Sequence, residues 1–552
     1  MAGRASSLTL ARVLSLLAAL GAFGPLALSA QDPAATAIRA LLTSARIPSS
    51  RHPDFTGQVE VLSRLYAARG DVPLWDDGNG LTPLAHAAIV TLGASAERGL
   101  DPEEYDVRLL DSLADAGVAA SVEIRAERDV LLSRALSRYL SDLRDGRVPD
   151  TPFDHLKLGI PIDASVALVQ RAAAGEAIET LAREVEPPLV QYRNLLRHLA
   201  RYHQLAGSLI LVPLPRAIPG IGEPYAGAAE LRRRLIAYGD LIADSAPADT
   251  AVYDSVLAEG VRHFQFRHSL EPDGVLGAPT RRELAVPPAR REEQIALALE
   301  RLRWLPPLPD QRIIVVNIPA FTLVAFDSIG GTGTPVLQMR VVIGRAFDKR
   351  TPVMYEPLRS VEFRPYWNIP VKILREEYLP QLSLQPLFLR RQRMEVLGAR
   401  DSVLGDGVTP EILWGLANGA YRLRQRPGGW NALGATKFTF PNRADIYLHG
   451  TPDTTAFSLA RRDLSHGCIR LQDPGSLAEW ALRGVPGWDI AQIDSVVAGT
   501  GNVLVPVAEP IGVLIYYATA TATSDGEIRF HPDIYGHDRR LRAALTGRSR
   551  GR

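Results

Sequence analysis

Residues Ile446 to Leu471 read IYLHGTPDTTAFSLARRDLSHGCIRL and contain Cys468, the only cysteine in 552 residues. A free thiol has a pKa near ~8.5, so a thiolate nucleophile at neutral pH needs a histidine or another cation beside it. Two histidines, His449 and His466, lie close in sequence. Ile446 and Leu448 alternate with Tyr447 and His449, which predicts a short strand with one apolar face and with Tyr447 and His449 sharing the other. Cys468 and Arg470 repeat the pattern against Ile469 and Leu471, so the thiol and the guanidinium point the same way if this piece is extended. An arginine there favours the thiolate and can hold an anionic substrate group. Gly467 lets the main chain pass close to the cysteine, where N–H groups can meet a developing oxyanion.

Two other readings fit the same residues. A lone cysteine is commonly an inert buried side chain, although the flanking histidine, glycine and arginine are not core types. One cysteine and two histidines, Cys468 with His449 and His466, can also make a zinc site. The spacing excludes neither.

His449, fifteen residues, then Ser465-His466-Gly467-Cys468-Ile469-Arg470 resembles the signature of the L,D-transpeptidases, bacterial cysteine enzymes with a YkuD-type catalytic domain. The resemblance implies that Cys468 is the nucleophile, that His449 is its base, and that the Gly450 carbonyl orients the imidazole. It also implies that Tyr447, Ser465, His466, Gly467 and Arg470 line the substrate and oxyanion site. Many large members carry an aspartate after the histidine; this chain has Gly450, as smaller members do, and a carbonyl can serve from either residue.

Outward from that stretch, Arg312 to Asp327 is β-branched, and Leu337, Met339, Val341 and Ile343 alternate with Gln338, Arg340 and Val342, so a β-rich domain is expected. Phe363 to Pro370 is similar to the segment before the substrate-capping insertion of the large periplasmic L,D-transpeptidases. The insertion is expected over 371–437, with helical character and the role of a lid. Asp473-Pro474 predicts a capped helix over Pro474 to Leu482. Strands are expected at Gly512 to Thr521 and Ile528 to His531, and a basic tail at 538–552 whose arginines form a solvated face.

Upstream, Phe264-Gln265 through Asp273-Gly274 to Thr280 resembles a small three-helix peptidoglycan-binding module, with Thr280 to Glu283 as a capping box. Before it, leucines at 132, 136, 140 and 143, and a stripe of Leu189, Tyr192, Leu196, Leu199 and His203, predict a helical scaffold. His203 is expected as a satisfied core or edge histidine. At the N-terminus, Arg4 and Arg12, the apolar run Val13 to Leu28 and the exit Ser29-Ala30 match a secretory signal, with an uncleaved anchor as the alternative.

The expected architecture is therefore an α+β multidomain chain: signal 1–30, helical scaffold 31–216, binding module 222–287, and a mostly β catalytic domain, a β-sandwich, over 295–537. With a formal net charge of +1 nothing points to a polyanion-binding role, so no nucleic-acid partner is expected. No cofactor is implied. The likeness implies a periplasmic enzyme that releases D-alanine from a tetrapeptide stem and forms 3,3 cross-links through a thioester. Donor and acceptor peptidoglycan stems are its partners, carbapenem-type inhibitors its acylating agents, and other cell-wall synthesis enzymes its possible associates. L,D-carboxypeptidase activity, attachment of a protein to the wall, and a non-enzymatic wall-binding scaffold are the alternatives.

Overall fold

The computed structural model describes residues 32–115, 120–149, 151–156, 159–242, 251–329, 333–385 and 387–549. The signal expected over 1–30 lies outside them. Among the described residues no helix is long and apolar enough to cross a membrane.

The chain divides into two compact units. One comprises Met1–Val90, Asp106–Ser137 and Ile162–Glu176. It is helical, and its first helix, Pro33–Ser44, is capped by the Asp32 carboxylate accepting from the Ala34 N–H at 2.9 Å. The turn-rich segment around Leu74 and Trp75 is held by buried Asp129, which accepts both main-chain N–H groups and the Tyr66 hydroxyl. Burial pushes the Asp129 carboxyl up to about 6.

The other unit comprises Thr91–Tyr105, Arg138–Pro161 and Ala177–Arg552. The helix Val190–Ser208 carries the expected stripe, but His203 at its end is exposed and pairs with Glu292 at 2.8 Å. The small module has helices Ala228–Tyr238, Ser255–Arg267 and Ala278–Leu284. Gln265 explains its motif: the amide donates to Asp273, the Val275 carbonyl and Thr280, and accepts from the Gly274 N–H. The expected capping box does not form. Pro279, with its fixed φ, starts the helix at Ala278, which places Thr280 inside the first turn, where its hydroxyl donates to the Val275 carbonyl.

The β-rich domain contributes, in chain order, β1 (Ile313–Asn317), β2 (Thr322–Phe326), β3 (Leu337–Gly344), β4 (Met354–Phe363), β5 (Trp367–Asn368), β6 (Met394–Leu397), β7 (Val403–Gly405), β8 (Arg422–Gln425), β9 (Thr436–Thr439), β10 (Leu448–His449), β11 (Asp463–Ser465), β12 (Ile469–Leu471) and β13 (Val503–Tyr516). Nine of them form one mixed sheet in the order β11-β3-β12-β10-β9-β4-β13-β1-β2, and β2 also pairs with β3, so the sheet closes on itself. Its interior is a single apolar core that includes Ile314, Val316, Val341, Val361, Phe438, Leu448 and Ile469, all fully buried. Val342 is buried as well, on the other face, because Ala456 and Phe457 cover it.

Three features differ from expectation. The insertion is not simply helical: β5, β6, β7 and β8 make a four-stranded sheet with its own apolar cluster around Leu389, Val396 and Leu423. All four residues of β6 are buried, so that strand carries no period-two signal. Thr436 and Lys437, placed at the end of the insertion by sequence, belong to β9 of the closed sheet. The basic tail is the helix His537–Ser549, anchored by Asp538 to Arg301 at 2.5 Å, by Arg542 to Glu293, and by buried Leu541.

Buried neutral histidines set the acid stability of this unit. His531 lies between the Ser269 and Thr521 hydroxyls at 2.8 and 2.9 Å, and burial lowers it to about 3; His268, stacked between Phe264 and Phe530, is also driven down by burial. A depressed histidine means that the unfolded chain binds more protons below pH 6.5. Stability is therefore full above that pH and falls toward pH 3, by about 1.4 kcal/mol per pH unit per histidine. Denaturant midpoints measured from pH 7 to pH 4 should fall steadily, and His531→Asn should flatten the fall.

Candidate active site

The register of the closed sheet assembles the site. Lys437 on β9 pairs with Glu362 on β4 and with His449 on β10; His449 pairs with Arg470 on β12, and Arg470 with Val342 on β3. A row Glu362–Lys437–His449–Arg470 thus crosses four strands. Cys468 stands just before β12, where the Ile469 N–H donates to the Tyr447 carbonyl at 3.1 Å. Alternation sends Leu448 and Ile469 into the core and leaves Tyr447, His449, Cys468 and Arg470 on the opposite face. Tyr447 is the direct neighbour of the thiol. His449 is its diagonal neighbour, a relation of about 7–8 Å between Cα atoms.

Cys468 is half-buried. Its Sγ lies 3.6 Å from the Asp445 carbonyl and beside the Tyr447 phenol. Burial pushes the thiol above its ordinary value, while Tyr447 and Lys437 pull it back. Burial, followed by the neighbouring thiol, keeps the Tyr447 phenol protonated as a donor. The ammonium of Lys437 lies 4.7 Å from the centre of the Tyr447 ring.

His449 is only 4% exposed, and its Nδ1 lies 2.5 Å from the Gly450 carbonyl. A carbonyl only accepts, so Nδ1 carries the proton and Nε2 keeps its lone pair. Burial, then the positive charges of Arg470 and Lys437, lowers the imidazole to about 3 against the pull of the Gly450 and Leu433 carbonyls. The ring is thus a neutral base held in one tautomer. Gly434 (φ +66°) lies directly against Gly450: a Cβ there would sit 2.6 Å from the Thr451 nitrogen and 2.7 Å from the Gly450 carbonyl carbon.

The loop before the cysteine is fixed by its own side chains. Buried Ser465 donates its hydroxyl to the Cys468 carbonyl at 2.6 Å and accepts the Gly467 N–H at 3.1 Å. Ser465, expected to line the site, thus braces the loop that bears the thiol, and the Gly467 N–H is already used. The Cys468 N–H makes no hydrogen bond among the described residues, and the main chain of Tyr447 is hydrogen-bonded to the thiol. Gly467 (φ +124°) passes under Ile446, and its carbonyl accepts from Thr351 at 2.7 Å. The Tyr535 hydroxyl, donating to the Gly344 carbonyl at 2.5 Å, accepts the Thr351 N–H at 3.2 Å, so the C-terminal segment buttresses the loop.

His466 faces the insertion. Its Nε2 is hydrogen-bonded to Glu377, which also takes Lys349 at 2.8 Å, and Arg345 approaches the same nitrogen at 3.3 Å. The zinc set does not converge: among the described residues no three His, Cys, Asp or Glu side chains form a metal-holding cluster. Glu377, Lys349 and Lys437 escaped sequence reasoning, since pairings between distant segments leave no local signal. Glu377→Gln is expected to speed amide hydrogen exchange across residues 371–384 while moving the unfolding free energy by less than about 1 kcal/mol, because the pair is partly exposed.

Residues 311–496 match the family model described as the L,D-transpeptidase catalytic domain. The chain carries an L,D-transpeptidase catalytic domain. Residues 60–199 match a Scaffold domain, and 225–284 a domain described as "Putative peptidoglycan binding domain". A Haemophilus influenzae protein named "Putative L,D-transpeptidase" is 33% identical over 254 residues, 46% of this chain. The match spans about half of that relative's length, 49%. Among solved structures, an L,D-transpeptidase from Xylanimonas cellulosilytica covers 55% of this chain and 100% of its own at 15% identity and a TM-score of 0.17. A fused Zn-dependent amidase/peptidase/peptidoglycan-binding domain-containing protein from Clostridium acetobutylicum covers the same shares at 11% and 0.15. Both overlaps are too slight for a shared fold to be read from them. Cys468, His449 and the insertion all fall within the L,D-transpeptidase domain.

Proposed function

We propose that this protein is an exported L,D-transpeptidase that acts in the periplasm on peptidoglycan stem peptides through a thioester on Cys468. The observation that carries the reading is the common face shared by Tyr447, His449, Cys468 and Arg470, with the imidazole neutral and its Nδ1 held by the Gly450 carbonyl. His449 takes the thiol proton as sulfur attacks the carbonyl joining the L-centre of the third-position diamino acid to the terminal D-alanine. The Cys468 N–H meets the oxyanion. The C–N bond breaks, D-alanine leaves with the proton from His449, and the acyl group stays on sulfur. The amine of a second stem then attacks the thioester, passes its proton to His449 and is acylated, while the thiol takes the proton back, giving the 3,3 cross-link. The insertion shields the thioester from water. Arg470 receives a substrate carboxylate, and His466 with Glu377 ties the insertion to the loop that bears the thiol.

Purified full-length protein incubated with tetrapeptide muropeptides and analysed by mass should yield dimers that have lost one D-alanine per cross-link. Trimmed monomers would mean hydrolysis, and lysine-linked adducts on an added acceptor protein would mean attachment. No product, together with no mass adduct on Cys468 from muropeptide or carbapenem, would overturn the reading in favour of a wall-binding scaffold.

A further inference from the structure

We infer that Lys437 and Arg470 form a two-cation receptor for a substrate carboxylate, and that filling it switches His449 on as a base. The inference rests on the proposed reaction at Cys468 and adds its regulation. Lys437 and Arg470 are the two direct cross-strand partners of His449, one on each side, so the imidazole sits between two fixed positive charges. Neither charge is well neutralised. The ammonium of Lys437 meets Glu362 only at 3.5 Å, and Arg470, half-buried, makes no hydrogen bond or ion pair among the described residues. The acidic groups that act on Arg470 do so through space, from Asp453 and the Cys468 thiol. A guanidinium has five donors in a planar fork suited to a carboxylate. Among the described residues, the other groups that act on the ring are Tyr447 and the carbonyls of Gly450 and Leu433; none carries a fixed negative charge.

In the empty site, moving the thiol proton to His449 creates a third positive charge between the other two. A carboxylate on Arg470 and Lys437 removes much of that repulsion. An anionic substrate therefore raises the basicity of His449, and an amidated stem binds without that effect.

The test uses full-length Cys468→Ala protein, which cannot be acylated, labelled at its histidines and observed by NMR at pH 5, where peptide carboxylates remain ionised. His449 is assigned through His449→Gln. The tetrapeptide stem with free carboxylates should raise the protonated fraction of His449 at least tenfold, and the same peptide with every carboxyl amidated should leave it unchanged. Adding Lys437→Gln should raise the ligand-free fraction and shrink the ligand-induced rise, with the His268 and His531 signals unmoved as a check on folding. Bound peptide with no change at His449, or equal changes from acid and amide, would overturn the inference and leave the proposed reaction standing. Failure of either peptide to bind would sink the substrate reading, and the inference with it.

Discussion

Cys468→Ala should abolish product and adduct while leaving the fold intact. The sulfur's polar partners are the Asp445 carbonyl, a weak one at 3.6 Å, and the phenol and main chain of Tyr447. The loop is held by Ser465, Thr351 and Tyr535, none of which the substitution alters. The unfolding free energy should move by no more than about 1 kcal/mol. Turnover should fall by roughly 10⁴-fold or more, because no neighbouring group can hold the acyl chain. Cross-linked dimers formed at more than a background rate by the alanine variant would exclude a thioester route.

His449→Gln should cost roughly 10²–10⁴ in turnover, the usual worth of a positioned base. The imidazole is lowered to about 3, so it is neutral at physiological pH, and its removal changes no charge there. The variant should bind stems as well as the parent does. Its stability should change in the direction opposite to its activity below pH 6.5. A histidine depressed in the fold subtracts stability as pH falls from 6.5 toward 3, and the glutamine variant is spared that loss. Burial also raises the thiol, so alkylation of wild-type Cys468 by iodoacetamide should climb only toward high pH, with no step near 6.5.

Much of this site was readable from alternation alone. The pattern at 446–449 and again at 468–471 predicts which side chains share a face, because a strand with one buried side leaves no other choice. The helical stripe ending at Leu143 and the Asp473 cap of Pro474–Ala481 were likewise local statements, and the fold carries them; the stripe ending at His203 is carried as far as Leu199. What could not be read is set by register between distant segments. Lys437 stands beside His449 because β9 pairs with β10, and Glu377 reaches His466 from 89 residues upstream. Which main-chain N–H near the thiol stays unclaimed is also not legible, because nothing in a linear sequence says that Ser465 will take that of Gly467. The tail helix keeps Arg539 and Arg540 exposed as expected, but its anchoring was not legible, because Asp538 and Leu541 acquire partners only when Arg301 and the packed helices are brought to them.

The bare backbone contact between Gly434 and Gly450 has a consequence for how the lid and the chemistry can evolve or be engineered. The segment that returns from the insertion presses, with no side chain between, on the peptide unit whose oxygen steers the imidazole. Exchanging the lid for one from a relative, or tightening its hinge, would carry an error of a few tenths of an ångström straight into the tautomer and aim of the base. The lid is thus part of the chassis of the catalytic group and cannot be refitted as a separate module.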